Sequence, residues 1–157
     1  MRTNQVTFQV ERWADFWRDC QELTPIHWAE AALDKDFIKL SILPENYQMC
    51  DEKGILHIVT ARYGGKMVGY FIANVVVHPH YKEAGLMAFT DMYFIHPDYR
   101  RGGTGAKLLI EVERTLKARG VVKAYISTKV HENKSELLKA LGWKESDVSF
   151  TKYWGKN

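Results

Sequence analysis

The stretch Asp91-Met-Tyr-Phe-Ile-His-Pro-Asp-Tyr-Arg-Arg-Gly-Gly-Thr-Gly105 runs from an apolar strand through a proline turn into a loop of arginines and glycines. An amphipathic helix over Thr104–Arg119 follows at once. Three glycines let the backbone approach a ligand closely and point successive N–H groups the same way. Arg100, Arg101 and Lys107 add full charges to the partial positive charge of the helix N-terminus. The stretch therefore predicts an anion site, best suited to a pyrophosphate.

Two common nucleotide motifs do not fit this loop. A P-loop needs Gly-Lys-Ser/Thr at its end, whereas Gly105 is followed by Ala106-Lys107-Leu108. A dinucleotide fingerprint needs a third glycine at position 108, which is leucine. The alternative that remains is an ordinary glycine-rich turn between a strand and a helix.

Around this stretch, hydrophobic periodicity predicts helices first, then mixed strands with two late helices. Together they form one mixed sheet that is covered on both faces. The predicted helices are residues 13–23, 24–33 with Thr24 as the N-cap before Pro25, 44–54, 104–119 and 135–141. The predicted strands are 3–10, 55–63 and 66–77 as a hairpin, 86–95, 121–128 as a buried strand, and 148–154 as the last strand.

The composition indicates one globular domain. The chain has 157 residues, 46% hydrophobic, with a formal net charge of +3. This composition excludes a disordered segment, and the near-balanced charge does not demand a nucleic-acid partner. The longest apolar run, Val75–Val77, is far shorter than the ~20 residues of a membrane span. Cys20 and Cys50 are expected to be reduced thiols, so we expect a cytoplasmic protein without membrane contact.

The pattern Arg-x-x-Gly-x-Gly, present as Arg100, Gly103 and Gly105, resembles the acetyl-coenzyme A signature of the GNAT superfamily of N-acetyltransferases. The resemblance covers about residues 55–154. It implies a single-domain α/β (α+β) fold over 1–157, in which a mixed, mostly antiparallel sheet is splayed between its fourth and fifth strands, with helices on both faces. Residues 1–54 would form a variable acceptor side, and residues 55–154 would bind acetyl-CoA.

The resemblance also implies where acetyl-CoA lies. The pantetheine arm would run between strands 86–95 and 121–128, bonded to the backbone around Tyr93 and Ile95. A strand irregularity near Phe94 would aim a backbone N–H at the thioester oxygen. Asn133 lies near the position of a pantetheine-contacting asparagine, although His131 falls in the register counted from Gly142. The coenzyme-binding residues predicted in this way are Phe94, Ile95, Arg100, Arg101, Gly102, Gly103, Thr104, Gly105, Ala106 and Asn133.

A general base is required because an amine must lose its proton before it attacks a thioester. Deprotonating a lysine-like amine at pH 7 costs about 4.6 kcal/mol, against about 1.4 kcal/mol for an α-amine. Asp91 is the predicted base, because two-residue alternation places it on the same face as Tyr93 and Ile95. It stands where many members of the family carry a glutamate. The alternative is a carboxylate that only caps a neighbouring loop.

The general acid departs from the family pattern. These enzymes often carry a tyrosine four residues before the glycine that closes the late helix, and this position is Leu138. The general acid would then be the hydroxyl of Tyr81, Tyr93 or Tyr153, or the thiolate would leave with the help of water. The residues predicted to be catalytic are Asp91 and Tyr93.

Six histidines need separate assignments. The sequence His-Pro-His-Tyr is predicted to contact the acceptor through His78, His80 and Tyr81. The two histidines could instead relay a proton or bind a metal. The alternative is that these residues only form a solvated turn. A third ligand at metal spacing is missing, so no metal site is predicted. The histidines interpreted as structural are His27, His57 and His96. Three tryptophans at helical spacing are interpreted as core residues rather than as the wall of an acceptor pocket: Trp13, Trp17 and Trp28.

The resemblance implies acetyl transfer from acetyl-CoA to an amine by direct attack in a ternary complex, since the motif region has no cysteine to carry an acyl group. The acceptor would be a small molecule or a peptide or protein amine, and a homodimer is compatible with the family. Two alternatives stay open: a non-catalytic coenzyme A-binding module, which Leu138 favours, and an acetyltransferase acting on nucleic acid, which rests on mild basicity alone.

Overall fold

The computed structural model describes residues 5–156, which form a sheet with helices on both faces. Its α-helices are α1 Trp13–Asp19, α2 Leu23–Ala31, α3 Pro44–Glu52, α4 Thr104–Ala118 and α5 Ser135–Ala140. Its strands are β1 Val6–Glu11, β2 Leu56–Tyr63, β3 Lys66–Val77, β4 Leu86–Ile95 and β5 Val121–Tyr125. Thr3, the predicted start of the first strand, lies outside the described residues.

The sheet follows the chain order β1-β2-β3-β4-β5. Its first four strands pair antiparallel, and β2 and β3 form the predicted hairpin around Gly64 and Gly65, both at positive φ. Among the described residues, β4 and β5 form the one parallel pair, across the crossover that contains α4. Their pairing starts at Leu86↔Val121 and ends at Phe89↔Tyr125, while β4 continues to Ile95. The predicted splay between the fourth and fifth strands is confirmed.

Each face of the sheet carries its own hydrophobic core. On one face, Leu108, Val112 and Leu116 of α4 pack against inward residues of β2, β3 and β4, as their helical spacing predicts. We call this the α4 core. On the other face, Trp13 and Phe16 of α1 pack against β2, β3 and β4, and we call this the α1 core. Both faces of β4 are therefore covered, which holds this strand in place.

Two of the predicted strands differ from the structure. Residues 148–154 form no strand, and Val148, Phe150 and Trp154 are each more than 80% exposed. Alternating apolar residues need a pairing partner to become a strand, and this segment has none among the described residues. The last paired strand ends at Tyr125 rather than at residue 128, and it is not buried throughout, because Val122 is 62% exposed.

The predicted N-cap at Thr24 is also wrong. Helix α2 begins one residue earlier, at Leu23, and Thr24 is a buried residue inside its first turn. The backbone N–H groups of Leu23 and Thr24 both donate to the carbonyl of Cys20 at the end of α1. Because the preceding turn already satisfies these N–H groups, the helix needs no side-chain cap there. In the part of the chain that is described, no helix is long and apolar enough to cross a membrane.

Candidate active site

A cavity of about 420 Å³ opens where β4 and β5 diverge. Strand β4 contributes Thr90–Ile95 to its wall, and α2 contributes His27 and Glu30. The chain after β5 contributes Ser127, and Gly105 closes the end that adjoins the start of α4. The cavity therefore joins the glycine loop to the middle of β4, which is the path predicted for the pantetheine arm.

The glycine loop makes a left-handed turn into α4. Gly102 and Gly103 have φ values of 71° and 74°, a conformation that side chains with a Cβ rarely adopt. Because α4 starts at Thr104, the N–H groups from Gly103 to Ala106 have no partner within the helix. A Cβ at either glycine would meet no atom within 4 Å, so the loop leaves open space for a ligand. The loop thus has room for an anionic ligand, and its binding of a pyrophosphate stays a prediction.

Arg100 holds the loop against its surroundings. Its Nε donates to the carbonyl of Ile95 at 2.9 Å, and its Nη2 contacts both carboxylate oxygens of Glu30 at 2.6 and 2.7 Å. The guanidinium also lies 5.4 Å from the centre of the Phe94 ring. Arg100 therefore connects the loop to β4 and α2. Its ion pair with Glu30 offsets part of the positive charge that was predicted for the anion site.

The strand irregularity lies at Asp91, and its predicted position near Phe94 is wrong. Ile72 pairs with Met92 and Ala73 pairs with Thr90, so Asp91 is the extra residue of a β-bulge. The shift arises in the pairing of β4 with β3, which local sequence does not reveal. Because the extra residue of a bulge stays out of the ladder, its backbone N–H is available to a ligand.

The bulge also changes the face that Asp91 presents. The rings and side chains of Tyr93 and Ile95 pack with the α4 core, whereas the Asp91 carboxylate accepts a hydrogen bond of 2.6 Å from the hydroxyl of Tyr47 in α3. Tyr47 packs with the α1 core on the opposite face. The prediction that Asp91 shares a face with Tyr93 and Ile95 is therefore wrong, because the bulge breaks the two-residue alternation.

Two residues beside Asp91 escaped the sequence analysis. Burial raises the pKa of Tyr47, and the neighbouring Asp91 carboxylate raises it further. The hydroxyl therefore stays protonated and donates a hydrogen bond to Asp91. The hydroxyl oxygen of Thr90 is buried without a hydrogen-bond partner among the described residues, and Thr90 lines the cavity. An unpartnered buried hydroxyl costs about 1–3 kcal/mol, so it marks a place where a polar ligand atom fits. The coenzyme therefore fits at this end as well.

Tyr93 bridges the two sides of the cavity. Its hydroxyl donates to the carbonyl of Ser127 at 3.0 Å, and burial raises its pKa. Of the three candidate tyrosines, it is the one that lines the cavity, because Tyr81 lies in an exposed loop and Tyr153 stacks on Phe37. Leu138, at the position where a tyrosine is usual, is buried in the α4 core.

His27 also lies on the cavity wall, so its interpretation as a structural residue is incomplete. Its ring stacks on Phe94 at 4.7 Å, and its Nδ1 lies 2.8 Å from the hydroxyl of Tyr70. Tyr70 is fully buried, so its O–H needs this nitrogen as an acceptor, which leaves the imidazole proton on Nε2. Burial lowers the pKa of His27 to about 4, so the ring is neutral near pH 7.

The other two histidines interpreted as structural keep that assignment. His57 is buried with its Nε2 2.9 Å from the Thr115 hydroxyl, and the Nδ1 of His96 accepts a hydrogen bond from the backbone of Asp98. Among the tryptophans, Trp13 is buried in the α1 core as predicted.

The predicted acceptor residues form a group of their own outside the cavity lining. The Nδ1 of His78 accepts from the backbone N–H of His80 at 3.1 Å, and the His78 ring lies 4.6 Å from that of Tyr81. The His78 ring also lies 5.9 Å from the ring of Phe89 on β4. Within residues 5–156, no three metal-binding side chains come together. An acceptor role for these residues stays a prediction.

Asn133 stays a prediction too. Its side-chain oxygen accepts from the backbone N–H of Ser135 at 2.7 Å, which uses the amide to start α5, while Glu132 and Lys134 line the cavity. The competing residue His131 places its Nε2 3.1 Å from the carbonyl of Glu30 in α2.

Comparison with known proteins identifies the kind of site. Residues 11–143 match the model of the acetyltransferase (GNAT) family. No curated protein matches the sequence at a significant level.

Solved structures share the fold at low identity. An aminoglycoside acetyltransferase from an uncultured soil metagenomic sample is 16% identical, with a TM-score of 0.71 over 99% of this chain and 100% of that one. A ribosomal-protein-alanine N-acetyltransferase from Brucella melitensis biovar Abortus 2308 is 17% identical, with a TM-score of 0.70 over 96% and 100%. A predicted acetyltransferase with acetyl-CoA from Clostridium acetobutylicum is 12% identical, with a TM-score of 0.68 over 95% and 96%.

Proposed function

Because this chain belongs to the acetyltransferase (GNAT) family, we propose that the cavity beside β4 is where it transfers an acetyl group from acetyl-CoA to a small-molecule amine. Acetyl-CoA-dependent N-acetyl transfer is the activity of the family. The single observation that carries the site is that one cavity joins the glycine loop at Gly105 to the bulge at Asp91.

The glycine loop holds the coenzyme in this proposal. The N–H groups from Arg101 to Ala106, with the positive end of the α4 dipole, bind the pyrophosphate. The backbone of β4 around Tyr93 and Ile95 then bonds the pantetheine arm, since β5 ends at Tyr125 and leaves this edge of β4 unpaired. The thioester comes to lie between Thr90 and Ser127.

The bulge stabilises charge on the thioester oxygen. The free N–H of Asp91 and the unpartnered hydroxyl of Thr90 are the donors available at this point. Donors that are fixed before the reaction cost no reorganisation when negative charge develops, which is why such arrangements accelerate acyl transfer. This replaces the predicted donor near Phe94.

Asp91 is the proposed base, acting directly or through a water. Asp91 lines the cavity, and its carboxylate takes the proton of the acceptor ammonium in this proposal. Tyr47 holds one carboxylate oxygen by a 2.6 Å hydrogen bond, which leaves the other oxygen for the proton transfer. The neutral amine then forms the new N–C bond by direct attack while the C–S bond breaks, and its nitrogen releases its second proton to water to give the neutral amide.

Tyr93 is the proposed acid. Coenzyme A leaves as a thiolate with the electron pair of the broken bond, and the Tyr93 hydroxyl supplies a proton to this sulfur. Burial keeps the hydroxyl protonated, and its contact with Ser127 keeps it across the cavity. A thiol pKa near 8.5 makes this proton transfer worth only about 2 kcal/mol at pH 7, so water is an adequate substitute.

The acceptor class follows from the size and charge of the site. Solved structures with this fold include one enzyme named for aminoglycosides and one named for a ribosomal-protein alanine, so both small and peptide amines occur as acceptors on this fold. The Asp91 carboxylate offers one anionic contact for one ammonium group, which supports a small amine.

The reduced cysteines support a cytoplasmic setting, and the exposed apolar side chains of Phe150 and Trp154 support a homodimer.

The second candidate is a coenzyme A-binding protein without catalysis. Leu138, buried where the family often has a tyrosine, is the observation that favours it. Release of free thiol from acetyl-CoA, measured with a panel of amines, separates the two functions.

The variant Asp91→Asn tests the base. It should lower turnover about 100-fold or more and leave the heat of coenzyme binding unchanged, because the amide cannot take a proton. Asp15→Asn is the matched control, since Asp15 is an exposed carboxylate on α1 that contacts Arg18. Full turnover in Asp91→Asn removes Asp91 from the mechanism.

A further inference from the structure

The pairing of β4 with β5 ends on two stacked aromatic rings. Phe89 and Tyr125 are the last register pair, and their rings lie 4.9 Å apart and nearly parallel, at 3°. The strands diverge immediately afterwards, and Thr90 and Ser127 begin the cavity lining. The stacked pair therefore adjoins the end of the cleft at which the thioester lies in the proposed function.

The rings continue from this pair to the surface. The His78 ring lies 5.9 Å from Phe89, and the Tyr81 ring lies 4.6 Å from His78. Phe89, Tyr125 and His78 are each half-buried, and Tyr81 is 52% exposed, so part of this aromatic surface is accessible. We call the four residues Tyr125, Phe89, His78 and Tyr81 the aromatic floor.

The aromatic floor faces the same side of the sheet as Asp91. Ala88 packs in the α4 core, so alternation turns Phe89 towards the opposite face. The Asp91 carboxylate contacts Tyr47 on that opposite face. An amine that gives its proton to Asp91 therefore has the rings of the floor next to its carbon skeleton.

The charges beside the floor favour a single ammonium group. The Lys123 ammonium lies 4.9 Å from the centre of the Tyr125 ring, so one end of the floor already carries a positive charge. Three carboxylates line the cavity, and Asp91 is the one without an ion pair among the described residues, because Glu30 pairs with Arg100 and Glu132 with Lys134. A polycationic acceptor would meet repulsion from Lys123, whereas an aromatic amine with one charge would meet rings.

We propose that the aromatic floor binds the body of the acceptor, and that the acceptor is a primary amine with one positive charge carried on a flat aromatic group. The inference rests on the proposed function and narrows its substrate class. Aromatic groups prefer offset stacking or edge contacts with other rings, and the half-buried rings of Phe89 and Tyr125 offer both. The amine then reaches from the floor towards Asp91.

The test compares three amines by thiol release from acetyl-CoA. The probes are 2-phenylethylamine, the aliphatic n-hexylamine of similar length, and the polycation spermidine. The natural sequence should give a kcat/KM for 2-phenylethylamine at least 10-fold above that for the other two.

Variants of the floor test which side chains carry this preference. Phe89→Leu and Tyr125→Leu should each lower kcat/KM for 2-phenylethylamine about 5- to 10-fold, with little change for n-hexylamine. Tyr125→Phe, which keeps the ring, should retain the preference. Phe37→Leu is the matched control, because Phe37 is an exposed aromatic residue that does not line the cavity.

The outcomes separate the inference from the proposed function. Equal or better kcat/KM for n-hexylamine or spermidine in the natural sequence overturns the inference and leaves the acetyltransferase intact. This comparison does not depend on whether the leucine variants fold. Leucine variants that bind acetyl-CoA and keep the aromatic preference also overturn the inference. Absence of thiol release with every amine overturns the proposed function first, and the inference with it.

Discussion

The hydroxyl of Tyr47 donates a 2.6 Å hydrogen bond to the carboxylate of Asp91, which joins α3 to the bulge of β4 across 44 residues of sequence. The Tyr47 ring is itself fixed, because it stacks on the buried ring of Trp13 at 4.5 Å. A helix in the N-terminal third of the chain therefore positions the side chain that the proposed mechanism uses as its base.

Removing the Tyr47 hydroxyl should impair catalysis without impairing coenzyme binding. In Tyr47→Phe the ring packing stays, but the Asp91 carboxylate loses the contact that orients it, so kcat should fall about 10-fold. The measurement is steady-state thiol release together with calorimetric titration of acetyl-CoA. Tyr63→Phe, in a ring that packs against Tyr99 on the other side of the sheet, is the control. An unchanged kcat in Tyr47→Phe would show that the contact does not position the base.

Replacing Arg100 by lysine should weaken coenzyme binding although the charge is retained. A lysine cannot contact the Ile95 carbonyl and both oxygens of Glu30 at once, as the Arg100 guanidinium does. The loop would lose its brace, and the affinity for acetyl-CoA should fall about 10-fold, measured by calorimetry. Arg101→Lys keeps the same charge one residue away and should bind nearly as well. Equal affinity in both variants would contradict a bracing role.

Stability should fall as the solution is acidified below neutral pH. Burial lowers the pKa of His27 and of His57 to about 4, against 6.5 for an unperturbed histidine. Between these values the unfolded chain binds protons that the native chain does not, so the free energy of unfolding decreases as pH falls from about 6.5 towards 4. Each histidine contributes at most about 2 kcal/mol between pH 7.5 and pH 5.

Urea unfolding at pH 7.5 and at pH 5 measures this effect. His57→Gln should reduce the difference in unfolding free energy between the two pH values, because one of the two proton-binding groups is gone. A difference that is identical in the variant and the natural sequence would exclude His57 as its source.

Local sequence was sufficient for the elements whose signals lie within a few residues. The helix α4 begins at Thr104 as predicted, because glycines precede it and apolar residues recur at helical spacing. The hairpin of β2 and β3 follows from the Gly64-Gly65 turn in the same way. The splay between β4 and β5 came from the family resemblance rather than from periodicity.

The features that local sequence missed depend on distant partners. The bulge at Asp91 arises from the register of β4 against β3, and no residue of β4 signals it. The contact of Arg100 with Glu30 spans 70 residues. The segment 148–154 has the alternation of a strand but no partner in the described structure, so periodicity alone gave a wrong prediction there.

The most direct measurement is the heat of acetyl-CoA binding to the natural sequence and to two glycine variants. Gly103 and Gly120 both have positive φ and open space at the Cβ position, so valine strains the backbone at either site. Gly103→Val distorts the loop that binds the pyrophosphate, and its affinity should fall at least 10-fold, whereas Gly120→Val, beyond the opposite end of α4, should bind normally. Undiminished affinity in Gly103→Val, or no heat with the natural sequence, would contradict the account.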